Sequence, residues 1–146
     1  MGISKDFREF IRLLNEHNVQ YLVVGGYAVA LHGHPRYTKD LDVWVKGENA
    51  NAKKLLKSLD DFGFGSLDIS VDDIVNPDVV IQLGNPPNRI DLVSSLTGVE
   101  FDSCYQARVT ANLDGVNINF IDLESLKKNK RATGRYQDLA DAENLE

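Results

Sequence analysis

The apolar and polar positions alternate between two periods along the chain, which predicts a mixture of helices and strands. Phe7, Phe10, Ile11 and Leu14 recur at helical spacing behind the N-cap candidate Ser4. Such spacing, together with glycine and proline breaks, predicts helices over residues 5–16, 27–31, 49–61, 122–132 and 136–145. Continuous or alternating apolar runs predict strands over residues 21–24, 41–45, 79–83, 89–93, 108–113 and 116–121. This order predicts one α/β (α+β) domain over residues 1–146, with a mixed β-sheet flanked by helices.

Composition narrows the class of protein. The chain has 146 residues, with 22 acidic and 16 basic side chains and a net charge of −6, which argues against nucleic-acid binding through bulk positive charge. A single cysteine, Cys104, excludes an internal disulfide framework. No apolar run approaches the roughly 18 residues of a membrane span, and charges interrupt the N-terminal segment where a signal peptide is apolar. We therefore expect a cytoplasmic protein with no membrane partner.

Two glycines separate a predicted buried strand from a predicted helix. Gly25 and Gly26 follow the apolar run 21–24 directly. At such a turn the backbone N–H groups point outward at a helix N-terminus, where a phosphate is favoured. A tight turn between strand and helix also needs small residues, so both interpretations stay open at this point.

Carboxylates stand on two of the predicted strands. Asp40 and Asp42 share one face, since alternate strand residues point the same way, and carboxylate oxygens are ligands that Mg²⁺ prefers. A solvated strand edge would explain the pair equally well. Asp91 lies in an apolar strand, where an unpaired aspartate is costly. It either pairs with Arg89 or completes a metal site with the other two.

These residues together resemble the nucleotidyltransferase superfamily of the polymerase beta type. The resemblance covers residues 21–45, which contain GGYAVALHGHPRYTKDLDVWV, residues 89–93, and residues 122–145 with their lysines, Gly-Arg and spaced aspartates. The first segment is similar to small stand-alone bacterial and archaeal members, including nucleotidyltransferase-like toxins of toxin–antitoxin systems. The resemblance implies transfer of a nucleotidyl group from a nucleoside triphosphate, ATP included, to a hydroxyl group of an RNA end, a protein or a small molecule.

The same resemblance implies roles for matching positions. Asp40, Asp42 and Asp91 would be catalytic and would hold two Mg²⁺ ions, with Mn²⁺ as a substitute. The positions expected to bind the nucleotide are Gly25, Gly26, Arg36, Thr38, Lys130 and Arg135. An antitoxin or another partner protein, and a homodimer, are further expectations.

Two alternatives remain open at the level of sequence. One is a catalytically silent module of the same fold that binds a nucleotide or a partner. The other is a nucleotide-sugar glycosyltransferase that uses the Asp-x-Asp pair. Three further residues receive structural interpretations: we expect Cys104 to be a small buried residue, Trp44 to pack in the core, and His32 to be a hydrogen-bonded core histidine.

Overall fold

The computed structural model describes residues 3–33, 40–65, 67–85, 88–134, 140 and 143. The strands are β1 (Tyr21–Val24), β2 (Leu41–Val45), β3 (Ile81–Leu83), β4 (Ile90–Val93), β5 (Val109–Leu113) and β6 (Val116–Phe120). The helices are α1 (Lys5–Glu16), α2 (Gly25–Leu31), α3 (Asn49–Leu59), α4 (Val71–Val75), α5 (Phe101–Gln106) and α6 (Leu123–Thr133). A short π-helical segment, Asp60–Phe64, continues α3.

The strands form one mixed sheet in the order β3-β4-β2-β1-β6-β5. Strand β2 runs antiparallel to β1 and parallel to β4, while β6 runs parallel to β1 and antiparallel to β5. The predicted mixed sheet with flanking helices is therefore confirmed. The central strand β1 is buried along its whole length, as its continuous apolar sequence predicts.

Helix α1 and the β5–β6 hairpin agree closely with the patterns that predicted them. The Ser4 side chain accepts a hydrogen bond from the Phe7 N–H at 3.2 Å and so caps α1. Asp114 and Gly115 both have positive φ in the two-residue turn between β5 and β6, which is the backbone that an Asp-Gly hairpin requires. Both elements depend on neighbouring residues, which is why the local sequence is sufficient to find them.

Short elements differ from prediction. The periodic signal gives no helix at α4 or α5, since runs of five and six residues contain too few turns to show a period. Helix α3 ends at Leu59 rather than at residue 61, and β3 begins at Ile81 rather than at residue 79. The last predicted helix, 136–145, falls almost wholly outside the described residues.

The two faces of the sheet have different coverings. Tyr21 donates a hydrogen bond to Asn15 of α1, which places α1 on the face that carries Tyr21. On the opposite face, the ring of Trp44 meets Phe101 of α5 edge-on, with ring centroids 5.2 Å apart. The buried apolar core lies between the sheet and these helices. It includes residues of β1, β2, β4 and β6 and Leu83 of β3, whereas the apolar residues of β5 are only partly buried. Among the described residues, no helix combines the length and the apolar character needed to cross a membrane.

Candidate active site

The predicted carboxylates meet on two adjacent parallel strands. Asp42 on β2 and Asp91 on β4 are direct partners in the register of the sheet, so their side chains leave the same face side by side. Asp40 precedes β2 by one residue and reaches the same cluster, as its shared contact with Arg89 shows. Parallel pairing thus brings together residues that are about fifty positions apart in the chain.

A guanidinium group links two of these carboxylates. Arg89 Nε donates to Asp91 Oδ1 at 2.9 Å, and Nη2 donates to Asp91 Oδ2 at 3.1 Å and to Asp40 Oδ2 at 3.0 Å. The second oxygen of Asp40, Oδ1, is buried and has no hydrogen-bond partner. The pairing of Asp91 with Arg89 that the sequence left open is therefore present, between β4 and the residue that directly precedes it, and it extends to Asp40.

The surroundings of Asp42 disfavour the charged form of its carboxyl group. Burial, followed by the charges of Asp91 and Asp40, raises the pKa of Asp42 to about 6, while Lys130 and Arg89 act in the opposite direction. Among the described residues, three carboxylates face two cations here, so this part of the cluster has an excess of negative charge. Such an excess is what a divalent cation would compensate.

Gly25 approaches the Asp42 carboxylate so closely that no side chain fits. A β-carbon placed on Gly25 would lie 2.2 Å from Asp42 Oδ2, and the φ angle of Gly25 is +66°. Glycine is therefore required here by backbone conformation and by contact with Asp42. Gly26 follows it in the first turn of α2. Gly25 thus lies against the Asp42 carboxylate, and phosphate binding by the two glycines stays a prediction.

Helix α6 contributes a buried lysine to the same place. Lys130 is only 7% exposed, and its positive charge lowers the pKa of Asp42. The helix is anchored nearby, since Asn129 Nδ2 donates to the Thr97 carbonyl at 3.0 Å and Ala132 packs against Gly98. Lys130 is thus positioned by tertiary contacts beside the carboxylates.

The basic residues around Lys130 do not all face the carboxylates. Lys127 Nζ lies 3.8 Å from Glu124 Oε1, one turn away in α6. Lys128 lines a different cavity, together with Ser103, Cys104 and Ser125. The basic segment 127–135 therefore divides between separate surfaces in its described part. Arg36, Thr38 and Arg135 lie outside the described residues, so their predicted nucleotide contacts stay predictions.

Two structural interpretations from the sequence are confirmed, and the third is confirmed only for its hydrogen bond, because His32 is half-buried and does not lie in the core. Cys104 is 2% exposed, and burial raises the pKa of its thiol. Trp44 is buried against Phe101 and so serves packing rather than base stacking. The Nε2 atom of His32 lies 2.9 Å from the Ile121 carbonyl oxygen, in a hydrogen bond that joins α2 to the end of β6.

Two contacts of the carboxylates could not be predicted from the sequence. The sequence indicates Arg89 only as a partner of Asp91, and the second contact of Arg89, with Asp40, depends on the pairing of β2 with β4. Gln82 on β3 is the register partner of Asp91 on its other side. Because strand register determines both positions, no local motif could have identified them.

The chemistry of the cluster fits a divalent cation, although the side chains are not arranged around one. In the part of the chain that the structure describes, no three His, Cys, Asp or Glu residues are arranged as a metal-holding group. Arg89 holds three carboxylate oxygens of Asp40 and Asp91 instead. The unpartnered Asp40 Oδ1 and the raised pKa of Asp42 nevertheless mark oxygen donors whose charge is incompletely compensated.

Several solved structures have a fold similar to that of this chain. The lincosamide antibiotic adenylyltransferase LnuA, solved with lincomycin bound, matches with 18% identity and a TM-score of 0.63 over 99% of this chain and 96% of its own. The antibiotic-resistance factor ANT(2'')-Ia matches with 13% identity and a TM-score of 0.58 over 96% and 80%. An antigenic nucleotidyltransferase-like protein from Paracoccidioides brasiliensis matches with 17% identity and a TM-score of 0.54 over 99% and 78%. At these identities the similarity shows the fold.

Family membership depends on a separate comparison of sequence. No curated protein matches the chain. A family model, in contrast, matches residues 5–146, which include the carboxylates, the glycine pair and α6. The resemblance predicted from the glycines and aspartates is thereby confirmed, and the chain belongs to the family described as nucleotidyltransferase of unknown function (DUF6036).

Proposed function

We propose that this protein is a divalent-metal-dependent nucleotidyltransferase, which transfers a nucleotidyl group from a nucleoside triphosphate to a hydroxyl acceptor and releases pyrophosphate. The observation that carries the proposal is the register pairing of Asp42 with Asp91, with Asp40 joined to the same cluster through Arg89. Membership of a nucleotidyltransferase family supports the general reaction class. Metal dependence and substrate identity are the additional steps of the proposal.

Each described residue of the cluster has a role in this reaction. Asp40, Asp42 and Asp91 would hold the metal ions, and Mg²⁺ would neutralise the triphosphate and activate the attacking hydroxyl when bound. Gly25 keeps the backbone close to Asp42, so α2 begins beside the reacting groups. Lys130 supplies a buried positive charge that suits a triphosphate oxygen.

The predicted contacts of Gly26, Arg36, Thr38 and Arg135 belong to the same proposed nucleotide site. Conformation and position support only the glycine part, since the other three residues lie outside the described segments. Replacing Arg36 or Arg135 by glutamine is expected to raise the KM for the nucleotide more than it lowers kcat, because a phosphate-binding charge acts mainly on substrate affinity.

The acceptor is the least defined part of the reaction. One structural neighbour is named as a lincosamide antibiotic adenylyltransferase and was solved with lincomycin bound, and another is named as an antibiotic-resistance factor. A hydroxyl-bearing small molecule is therefore a reasonable first class of acceptor, beside RNA ends and proteins. We propose to test all three classes in the same assay.

The decisive experiment follows the nucleotidyl group. Wild-type protein is incubated with each α-labelled nucleoside triphosphate, Mg²⁺, and either total RNA, cell proteins or a panel of hydroxylated antibiotics. We expect label to enter one acceptor class, and we expect Asp42→Asn to lower the rate at least about a thousandfold, on the scale of lost electrostatic stabilisation of a transition state. Asp78→Asn, which changes an exposed aspartate, is the matched control and should leave the rate unchanged.

A second candidate function is a nucleotide- or partner-binding module without turnover. The contact of Arg89 with Asp40 and Asp91 favours it, because this ion pairing partly neutralises the cluster without a metal. Nucleotide binding by calorimetry with no transfer of label to any acceptor would favour this module over an enzyme.

Transfer from nucleotide sugars, with none from nucleoside triphosphates, would instead support the glycosyltransferase alternative.

A further inference from the structure

We propose that Arg89 acts as a built-in substitute for the divalent cation: it holds Asp40 and Asp91 while no metal is bound, and a metal ion must displace it to reach them. The inference rests on the proposed function, since it requires these carboxylates to bind a metal. It assigns Arg89 a competitive role toward the metal, distinct from the ligand role of the aspartates.

The contacts of Arg89 occupy the oxygens that a metal would need. Both oxygens of Asp91 and one oxygen of Asp40 accept hydrogen bonds from the guanidinium group, at 2.9, 3.1 and 3.0 Å. Among the described residues, only Asp40 Oδ1 in that pair of residues is left without a partner. A cation meets this oxygen without competition, whereas each of the other three already gives a lone pair to Arg89, and a cation that uses the same lone pairs requires the guanidinium to move.

Deprotonation cannot release Arg89. Its hydrogen bond to Asp91, with the charges of Asp91, Asp40 and Asp42, raises the pKa of a group that is already charged at any physiological pH. The guanidinium must leave by rotating away as a cation. Its side chain is 28% exposed, so it has a route to solvent, and a bound triphosphate would offer it a new anionic partner.

Electrostatics sets the direction of the effect. A positive charge within hydrogen-bond distance of two prospective ligands repels an incoming cation and competes for their lone pairs, because like charges a few ångströms apart repel each other. Removing that charge leaves three neighbouring carboxylates, which Lys130 offsets among the described residues. The metal-free state then becomes less favourable, and metal binding becomes more favourable.

The test measures Mn²⁺ binding to the full chain without nucleotide, by the spin-resonance signal of free Mn²⁺ and by calorimetry. We expect Arg89→Gln to bind Mn²⁺ at least roughly tenfold more tightly than wild type, a conservative share of the electrostatic repulsion. Arg89→Lys keeps the charge but loses the planar fork, so its affinity should fall between the two.

The matched control is Arg12→Gln. Arg12 also bridges two carboxylates, Glu9 and Glu16, but on the exposed surface of α1, and its replacement should leave Mn²⁺ affinity unchanged. Unfolding is followed in parallel by circular dichroism. We expect Arg89→Gln to lower the melting temperature without metal, and saturating Mn²⁺ to recover most of that loss.

The opposite result identifies a supporting role. If Arg89 orients Asp91 in the metal-bound state as well, Arg89→Gln will bind Mn²⁺ equally or more weakly than wild type, and the inference is overturned. Should Arg89→Gln not fold, the same comparison is made with Arg89→Lys, whose tighter binding supports the inference and whose equal or weaker binding overturns it. Absence of Mn²⁺ binding in folded wild type and variants alike would overturn the proposed metal site itself.

Discussion

At the scale of single residues, the candidate site combines two requirements that oppose one another. The fold brings Asp42 and Asp91 into register and partly buries Asp42, and this burial, with the charges of Asp91 and Asp40, raises the pKa of that carboxyl to about 6. A protein selected for stability alone would not place like charges together in a partly buried position. Perturbed carboxylates of this kind are more common at functional sites than elsewhere.

The contact between Gly25 and Asp42 leads to a prediction. Gly25→Ala should destabilise the protein by more than about 1 kcal/mol through its positive φ, and should also abolish nucleotide binding because the new methyl group displaces the Asp42 carboxylate. Thermal unfolding and calorimetry with Mg²⁺ and nucleotide measure the two effects.

Gly115→Ala provides the matched control. Gly115 also has a positive φ, +88°, but a β-carbon there would meet no atom within 4 Å. This variant should lose stability and keep nucleotide binding. If Gly25→Ala retained full nucleotide affinity, the close approach to Asp42 would have no functional importance.

Among the secondary-structure elements, buried polar side chains connect helices to strands by hydrogen bonds to backbone groups at the strand ends. Asn51 on α3 is 4% exposed and accepts from the Gln20 N–H at 2.8 Å, while its Nδ2 donates to the Gln20 and Lys46 carbonyls, each at 3.0 Å. These bonds tie α3 to the start of β1 and the end of β2. The arrangement explains why a polar residue occupies the buried face of an amphipathic helix.

Asn51→Ala should therefore be strongly destabilising for a polar-to-alanine change. Loss of its hydrogen bonds leaves the Gln20 N–H unsatisfied, whereas the Gln20 and Lys46 carbonyls each keep a bond from a backbone N–H, and we expect a decrease of about 1–3 kcal/mol in the free energy of unfolding. Urea denaturation gives the value. Asn49→Ala, at an exposed position of the same helix, should change stability by less than about 0.5 kcal/mol.

Tyr21 connects α1, β1 and β6 in a similar way. Its hydroxyl donates to Asn15 Oδ1 at 2.9 Å and accepts from the Asn119 N–H at 3.3 Å, and burial raises its pKa to about 12. Tyr21→Phe should lower the free energy of unfolding by about 1–2 kcal/mol at neutral pH, since both partners lose their hydrogen bond.

The effect of pH on this variant has a definite sign. An unfolded tyrosine ionises near pH 10, whereas folded Tyr21 stays neutral to about pH 12. The stability advantage of wild type over Tyr21→Phe should thus be constant below pH 10 and should decline between pH 10 and 12. An advantage that grows over this range would show that burial does not govern the ionisation of Tyr21.

At the scale of the whole molecule, the net charge of −6 conceals a local arrangement of both signs. Among the described residues, three acids and two bases converge at the N-terminal end of the paired strands β2 and β4, while Lys127 and Lys128 of α6 lie at other contacts. Binding of anionic substrates therefore depends on a local site rather than on overall charge. A homodimer and an antitoxin or other partner protein stay predictions, which light scattering and co-purification would test.

Substrate binding should stabilise the entire fold through this site. A ligand present at one hundred times its dissociation constant adds about 2.7 kcal/mol to the free energy of unfolding. We expect Mg²⁺ with the cognate nucleoside triphosphate to raise the melting temperature, and chelation of the metal to reverse the rise. In Asp42→Asn the same additions should leave the melting temperature unchanged, and a full rise in that variant would contradict the assignment of Asp42.

Features that depend on near neighbours could be predicted from the sequence. The period of the apolar residues and the N-cap Ser4 predict α1, Asp114 and Gly115 predict the β5–β6 turn, and the spacing of glycines and aspartates indicates the family. Contacts between side chains that are distant in the chain could be read only from the tertiary structure. Register between β2 and β4 places Asp42 beside Asp91 and brings Arg89 within reach of Asp40, and packing of α6 buries Lys130 next to them. Strand register and helix packing are set by the summed burial of the whole core, so they leave no local signal in the chain.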